Sequence, residues 1–283
     1  MLPLKAPTLK PGAFMGVLRS AWWLPWLPLL AFTACSSEPG ATSGSAERVN
    51  GPGEESVVVS PTATPAGSLE KPAYCVPAEK DTLQEIENTP AAPYFVQHPA
   101  FDSPTSPTVV FLAGGSGSRR SAQRAWSNYL SAGAGVDEFR LVLPYSVDFE
   151  YIDEAGRTFT VVAEVLACYG GDAGKVHLGG VSNGGLAAFA VMLARPHLFA
   201  TLLGAPGAFP RVDPPAWAKA LAGRAAFNGV GANDGDWQPE VKETHNALAA
   251  AGIESVYVEF AGEGHIVGAD FDESVFFDFW AKH

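Results

Sequence analysis

Positive charge is scarce in this chain. Only 18 Lys and Arg stand against 30 Asp and Glu in 283 residues, and no dense basic cluster forms. A nucleic-acid-binding face needs such a cluster, so that class of partner is excluded. The net charge of −12 favours solubility without naming a substrate. The 6 histidines never take a His-x-x-x-His spacing, and the 3 cysteines lie too far apart for a zinc knuckle, so neither a metal nor a cofactor site is expected. The glycine-rich turn at residues 113–117 has no lysine and no following Gly-Lys-Ser/Thr, which excludes a P-loop. The amino-terminal apolar stretch, residues 21–34, is interrupted by Pro25 and Pro28 and falls short of the roughly 20 residues that span a bilayer. What is abundant is apolar side chains, at 47%, and glycine, at 30 residues. That composition suits one sizeable globular core.

Three segments follow from composition. Residues 1–34 carry Lys5, Lys10 and Arg19 ahead of the apolar stretch, the layout of an export signal. Residues 35–72 are rich in Ser, Gly, Pro, Ala, Thr and Glu and bury too little to fold, so a disordered tether is expected there. Residues 73–283 form the domain, with a helix-like piece at 81–88 in its Pro-rich opening. From residue 106 onward, strand-like runs (108–112, 140–143, 176–179, 200–203, 225–230, 254–260) alternate with helix-like ones (121–132, 159–169, 186–193, 239–251, 273–282). The helix at 186–193 shows its period in Leu186, Phe189, Ala190 and Leu193. Such alternation predicts an α/β fold. Its core is a single, mostly parallel sheet of about six or more strands with helices on both faces. The strand carboxyl ends then share one edge, where ligands of open α/β sheets bind.

Chemistry-bearing residues sit at that edge. Gly180-Val181-Ser182-Asn183-Gly184 is a Gly-x-Ser-x-Gly pentamer between the strand ending at Gly179 and the helix at 186–193. The pentamer alone is weakly specific in a glycine-rich chain, but a strand-to-helix turn is the setting a nucleophile elbow requires. After the next-but-one strand comes Gly231-Ala232-Asn233-Asp234, followed by Gly235-Asp236-Trp237. After the last strand comes Gly262-Glu263-Gly264-His265. A serine needs an adjacent base to be nucleophilic, the base needs a carboxylate to hold its tautomer, and the three stand in the order Ser182, Asp234, His265. Asp236 is the alternative acid. Both aspartates also read as turn residues capping the helix near Pro239, and His265 as a surface-loop histidine. His177 lies within a strand and reads as a packed side chain.

Over residues 106–283 this pattern resembles the α/β-hydrolase superfamily. The resemblance implies a serine hydrolase with no cofactor or metal and with Ser182, Asp234 and His265 as its triad. It also implies an oxyanion hole formed by the backbone N–H of Asn183 with that of Gly115 or Ser116. Many relatives carry His-Gly at the positions of Ala113-Gly114, so Ala113 removes a side chain that braces the loop. Residues 204–224, with Pro206, Pro210, Pro214 and Pro215, leave no room for a large helical lid. Ser182-Asn183-Gly184-Gly185 is further similar to the polyhydroxybutyrate-depolymerase and feruloyl or acetylxylan esterase branch, which implies a small-molecule or polymer ester as substrate. Trp237, Phe209 and Trp217 are candidates for lining an acyl pocket, or for the core. A serine peptidase or amidase, and a non-catalytic binding protein on the same fold, are the alternatives.

Phe32-Thr33-Ala34-Cys35 resembles the bacterial lipoprotein signal, with Phe32 where Leu is usual. The resemblance implies lipidation of Cys35, attachment to the cell envelope through that membrane anchor and, from Ser36, outer-membrane sorting. With Cys35 so used, Cys75 and Cys168 remain as an even pair in an oxidising compartment and are expected to form a disulfide, the alternative being two buried thiols.

Overall fold

A computed structural model describes residues 71–146, 154–208 and 214–283. The expected signal and most of the expected tether, with Cys35, lie outside the described residues, as does Phe209. One sheet of eight strands runs through the domain in the order β1-β2-β4-β3-β5-β6-β7-β8. The strands are β1 (Gln84–Ile86), β2 (Tyr94–Gln97), β3 (Thr108–Leu112), β4 (Arg140–Pro144), β5 (Val176–Gly180), β6 (Thr201–Gly204), β7 (Ala225–Gly231) and β8 (Glu254–Phe260). From β4 across to β8 every pairing is parallel. β3 through β7 are buried along their whole length, as near-continuous runs of Val, Leu, Phe, Ala and Gly require when both faces are covered. β8 is an edge strand, half-exposed and richer in polar residues.

The helices are α1 (Arg119–Tyr129), α2 (Glu154–Tyr169), α3 (Asn183–Ala194), α4 (Pro214–Ala220), α5 (Gln238–Ala250) and α6 (Ser274–Lys282). Val161, Val162 and Val165 of α2 share one core with Phe189 and Met192 of α3, Trp217 of α4 and Leu248 of α5. Ala122, Ala125 and Tyr129 of α1 share the other with Phe276, Phe277 and Trp280 of α6. The chain steps from β3 to β4 on one side and then returns to β5 on the other. The crevice between the carboxyl ends of β3 and β5 is therefore a topological switch point. Among the described residues, no helix is long and apolar enough to cross a membrane.

One expected element is corrected. Residues 81–88 do not form a helix: Gln84–Ile86 is the edge strand β1, antiparallel to β2, which is itself antiparallel to β4. The backbone groups of this short arm are satisfied by pairing with the next strand, which is itself held by β4. The arm is also pinned to α2. Cys75 and Cys168 form a disulfide with Cα atoms 5.3 Å apart, closing a loop with a sequence separation of 93. The buried Glu164 carboxylate accepts from Thr89 Oγ1 (2.5 Å), the Ala91 N–H (2.9 Å) and Tyr94 Oη (2.9 Å). Burial, with that carboxylate, pushes the Tyr94 phenol far up, so it stays a neutral donor.

His177 is packed, as its place in a strand suggested. Its Nδ1 lies 3.0 Å from Thr201 Oγ1 on β6. Burial, with repulsion from the nearby His283 and Lys175, lowers its pKa to about 4. Below the ordinary histidine value of about 6.5, the unfolded chain takes up this proton while the folded chain does not, so stability falls between pH 6.5 and 4. His177→Gln keeps the bond to Thr201 and cannot titrate. Denaturant unfolding at pH 7 and pH 4.5 is expected to show the variant losing less stability on acidification than the wild type, by roughly 2–3 kcal/mol. Equal losses would contradict the assignment.

Candidate active site

Ser182 sits at the tip of the turn between β5 and α3, with φ 57° and ψ −124°, a region that side-chain-bearing residues rarely occupy. The surrounding backbone imposes this. The N–H of Ser182 donates to the Pro206 carbonyl (2.8 Å), and those of Val181 and Gly184 to the carbonyls of Leu112 (3.1 Å) and Val181 (2.9 Å). The two glycines of the pentamer are demanded by contact. A Cβ on Gly180 would stand 2.3 Å from the Gly184 carbonyl oxygen, and one on Gly184 would stand 2.1 Å from that of Leu112. The strain therefore has a consequence: the Ser182 hydroxyl is turned clear of the sheet and into a cleft.

His265 and Asp234 reach the same place from two loops that are bound to each other. Beyond β7 the chain turns with the Asp234 N–H on the Gly231 carbonyl (3.0 Å). The N–H groups of Ala232 and Asn233 donate to the carbonyls of Phe260 (2.9 Å), the last residue of β8, and Glu263 (2.8 Å), just beyond it. The Asn233 side-chain amide adds a bond to the Gly262 carbonyl (3.0 Å). Gly231 has no room for a side chain, since a Cβ would lie 2.1 Å from the Gly264 carbonyl oxygen. The loop carrying the histidine is closed by the Glu263 carboxylate, which accepts from the Gly268 N–H (2.5 Å). His265 Nδ1 is thereby held 2.7 Å from Asp234 Oδ2, and its Nε2 lies 2.9 Å from Ser182 Oγ. Asp234 is 6% exposed, so its charge acts on the imidazole with little solvent screening. The imidazole itself is 40% exposed on the cleft side, open to a reactant.

Three backbone N–H groups beside the serine or in its cleft donate to nothing among the described residues: those of Gly114, Gly115 and Asn183. Asn183, as the first residue of α3, has no helical acceptor for its N–H. The Gly114 backbone passes so close that a Cβ there would be 3.1 Å from Ser182 Cβ. Gly114 and Gly115 line the cleft, and Ser116 does not. Ala113 offers no side chain to brace this loop. Asn183 does so from the elbow, donating its Nδ2 to the Gly115 carbonyl (2.9 Å). Gly115 has φ +64°, which its lack of a Cβ permits.

The remaining residues that the sequence singled out are placed as follows. Asp236 is exposed, and the carboxylate bonded to His265 is that of Asp234. Neither aspartate caps α5 with its side chain, since no side-chain cap bond forms there. Trp237 stands beside His265, with ring centroids 5.5 Å apart. Trp217 is buried with its ring edge-on to Phe189 (5.3 Å) and belongs to the core. No group of three potential metal ligands occurs among the described residues.

The cleft holds about 290 Å³ and is walled on one side by α1, through Ser121, Arg124, Asn128 and Tyr129. None of these was anticipated. Their spacing on one helix face was visible in the sequence, but not the side of the sheet on which that face lies. Tyr129 is buried, and burial pushes its phenol up to about 12.

No protein-family model matches the chain, and no curated protein matches it. Solved structures do. It is similar to an arylesterase (12% identical, TM-score 0.52, covering 74% of this chain and 87% of that one). It is similar to the esterase Est22 with p-nitrophenol (17%, TM-score 0.51, 70% and 79%). It is also similar to Porphyromonas gingivalis dipeptidyl peptidase 4 (15%, TM-score 0.52, 68% and 33%), of which it spans about a third. At such identities the likeness is one of fold, and the fold is that of the α/β-hydrolases.

Proposed function

We propose that this chain is a serine hydrolase that cleaves carboxylic esters through an acyl-enzyme. The observation that carries the reading is the unbroken relay from Ser182 Oγ through His265 to the buried Asp234. Neutral His265 takes the hydroxyl proton on Nε2 as Ser182 Oγ bonds to the ester carbonyl carbon. Asp234 holds the proton on Nδ1 and stabilises the imidazolium. The oxyanion accepts from the N–H of Asn183 and from that of Gly114 or Gly115, which need no reorganisation to receive it. The C–O bond to the alcohol then breaks, and the Nε2 proton passes to the leaving alkoxide. Water repeats the sequence on the acyl-enzyme, releasing the acid and restoring the Ser182 hydroxyl.

A peptidase uses the same relay. An aminopeptidase or dipeptidyl peptidase needs a carboxylate for the free ammonium of its substrate, and no Asp or Glu is among the residues lining the described cleft, which weighs against that kind of peptidase. A panel of 4-nitrophenyl esters, matched 4-nitroanilides and short peptides is expected to give ester turnover at least about a hundredfold above amide turnover. Faster peptide cleavage would establish the peptidase reading. No turnover of either kind by folded protein would point to a binding scaffold.

We also infer export and anchoring through a lipid on Cys35, supported by the amino-terminal pattern and by the Cys75–Cys168 pair, which suits an oxidising compartment. Cys35→Ser should release the protein from the membrane fraction.

A further inference from the structure

The geometry points to an ester substrate that carries a free carboxylate, held by Arg124 on the wall of the cleft. The inference rests on the hydrolase reading above and narrows it to a substrate class. Arg124 lies on the middle turn of α1 and lines the same cavity of about 290 Å³ as Ser182 and His265. Its guanidinium is exposed, and it makes no ion pair or hydrogen bond among the described residues. Its helix neighbour Arg119, by contrast, is occupied by Glu85. The rest of the cavity lining is Gly, Ala, Ser, Asn, Tyr, Val and Ile beside the catalytic pair, so Arg124 is the one full formal charge among the described lining residues. The setting makes this notable. The chain carries 30 acids to 18 bases, yet α1 has three arginines and no acid, and the carboxylate of the relay is screened behind His265.

Asn128 lies four residues on from Arg124 and Ser121 three residues before it, so all three share one face of α1. The Asn128 side chain has no partner among the described residues and lines the cavity. A guanidinium with a neighbouring carboxamide donor matches the two oxygens of a carboxylate and gives charge-assisted bonds that a neutral group cannot replace. An ester whose carbonyl sits at Ser182 would place a second, ionised carboxyl against α1. Such an ester is a half-ester of a dicarboxylic acid, or an ester of a hydroxy acid whose own carboxylate is free. Its neutral analogue would leave the arginine unsatisfied.

The test measures kcat/KM for two matched pairs on the full chain. The first pair is 4-nitrophenyl hydrogen succinate against 4-nitrophenyl butyrate, with the charge in the acyl part. The second is 4-acetoxybenzoate against its methyl ester, with the charge in the alcohol part. In one pair the anion is expected to be preferred by about five- to thirtyfold, more at low salt than at 0.5 M NaCl, as a solvent-facing ion pair requires. Which pair responds identifies the side of the scissile bond that meets α1. Arg124→Gln should bring that ratio to about one, Arg124→Glu should invert it, and Arg124→Lys should restore part of it. Arg120→Gln, on the same helix but outside the cavity lining, should keep the ratio. Turnover of neutral esters with no anion preference in either pair, or a ratio unmoved in Arg124→Gln and Arg124→Glu, overturns the inference and leaves the hydrolase reading standing. Absence of turnover for all four esters overturns both.

Discussion

Ser182→Ala is expected to lower ester turnover by at least about 10⁴-fold, toward 10⁶, with no loss of fold. The size of the effect follows from the concerted character of the relay. Without Oγ, His265 has no proton to take, and only binding and the oxyanion donors remain to help attack by water. The fold should survive, because the turn is held by main-chain bonds from Val181, Ser182 and Gly184 rather than by the hydroxyl. Ser182→Gly separates chemistry from strain. It is expected to be equally inactive and no less stable than the wild type, because φ 57° is costly for serine and free for glycine. Thermal unfolding beside initial rates checks both variants. A clearly destabilised Ser182→Gly would mean that the backbone there is not strained.

The second large effect lies one bond further back. Asp234→Asn is expected to cost about 10³–10⁴-fold in kcat, because an amide can hold the ring in place but neither fixes the productive tautomer nor stabilises the imidazolium. Asp236→Asn, two residues away and exposed, should change the rate by no more than about twofold. The pair is informative because both side chains leave the same turn. The reverse ranking would move the acid role to Asp236 and contradict the 2.7 Å contact to His265.

Much of this arrangement can be read along the chain, for a physical reason. Strands buried on both faces must be apolar throughout, so Thr108–Leu112, Val176–Gly180 and Ala225–Gly231 stand out against their surroundings. The elbow is legible because Gly180 and Gly184 meet backbone oxygens that no side chain would clear. The order of serine, acid and histidine follows from where each loop leaves the sheet. What resists reading is whatever depends on distant pairing. The three residues of β1 carry no strand period and are ordered by β2 and by the arm's attachments to α2. Asn183 bracing Gly115 across the cleft, and α1 turning Arg124 toward Ser182, arise only once the layers have packed. The choice among Gly114, Gly115 and Ser116 likewise depends on a loop shape that five residues of sequence do not specify.

The most direct test is covalent. A fluorophosphonate can bond only to a hydroxyl that an adjacent base has activated, so it reports the relay without requiring the natural substrate. Wild-type protein treated with such a probe and analysed by peptide mass spectrometry should carry one adduct, on Ser182, and Ser182→Ala should carry none. Folded wild-type protein that stays unlabelled, or labelling that persists at another serine together with esterase activity in Ser182→Ala, would contradict the account.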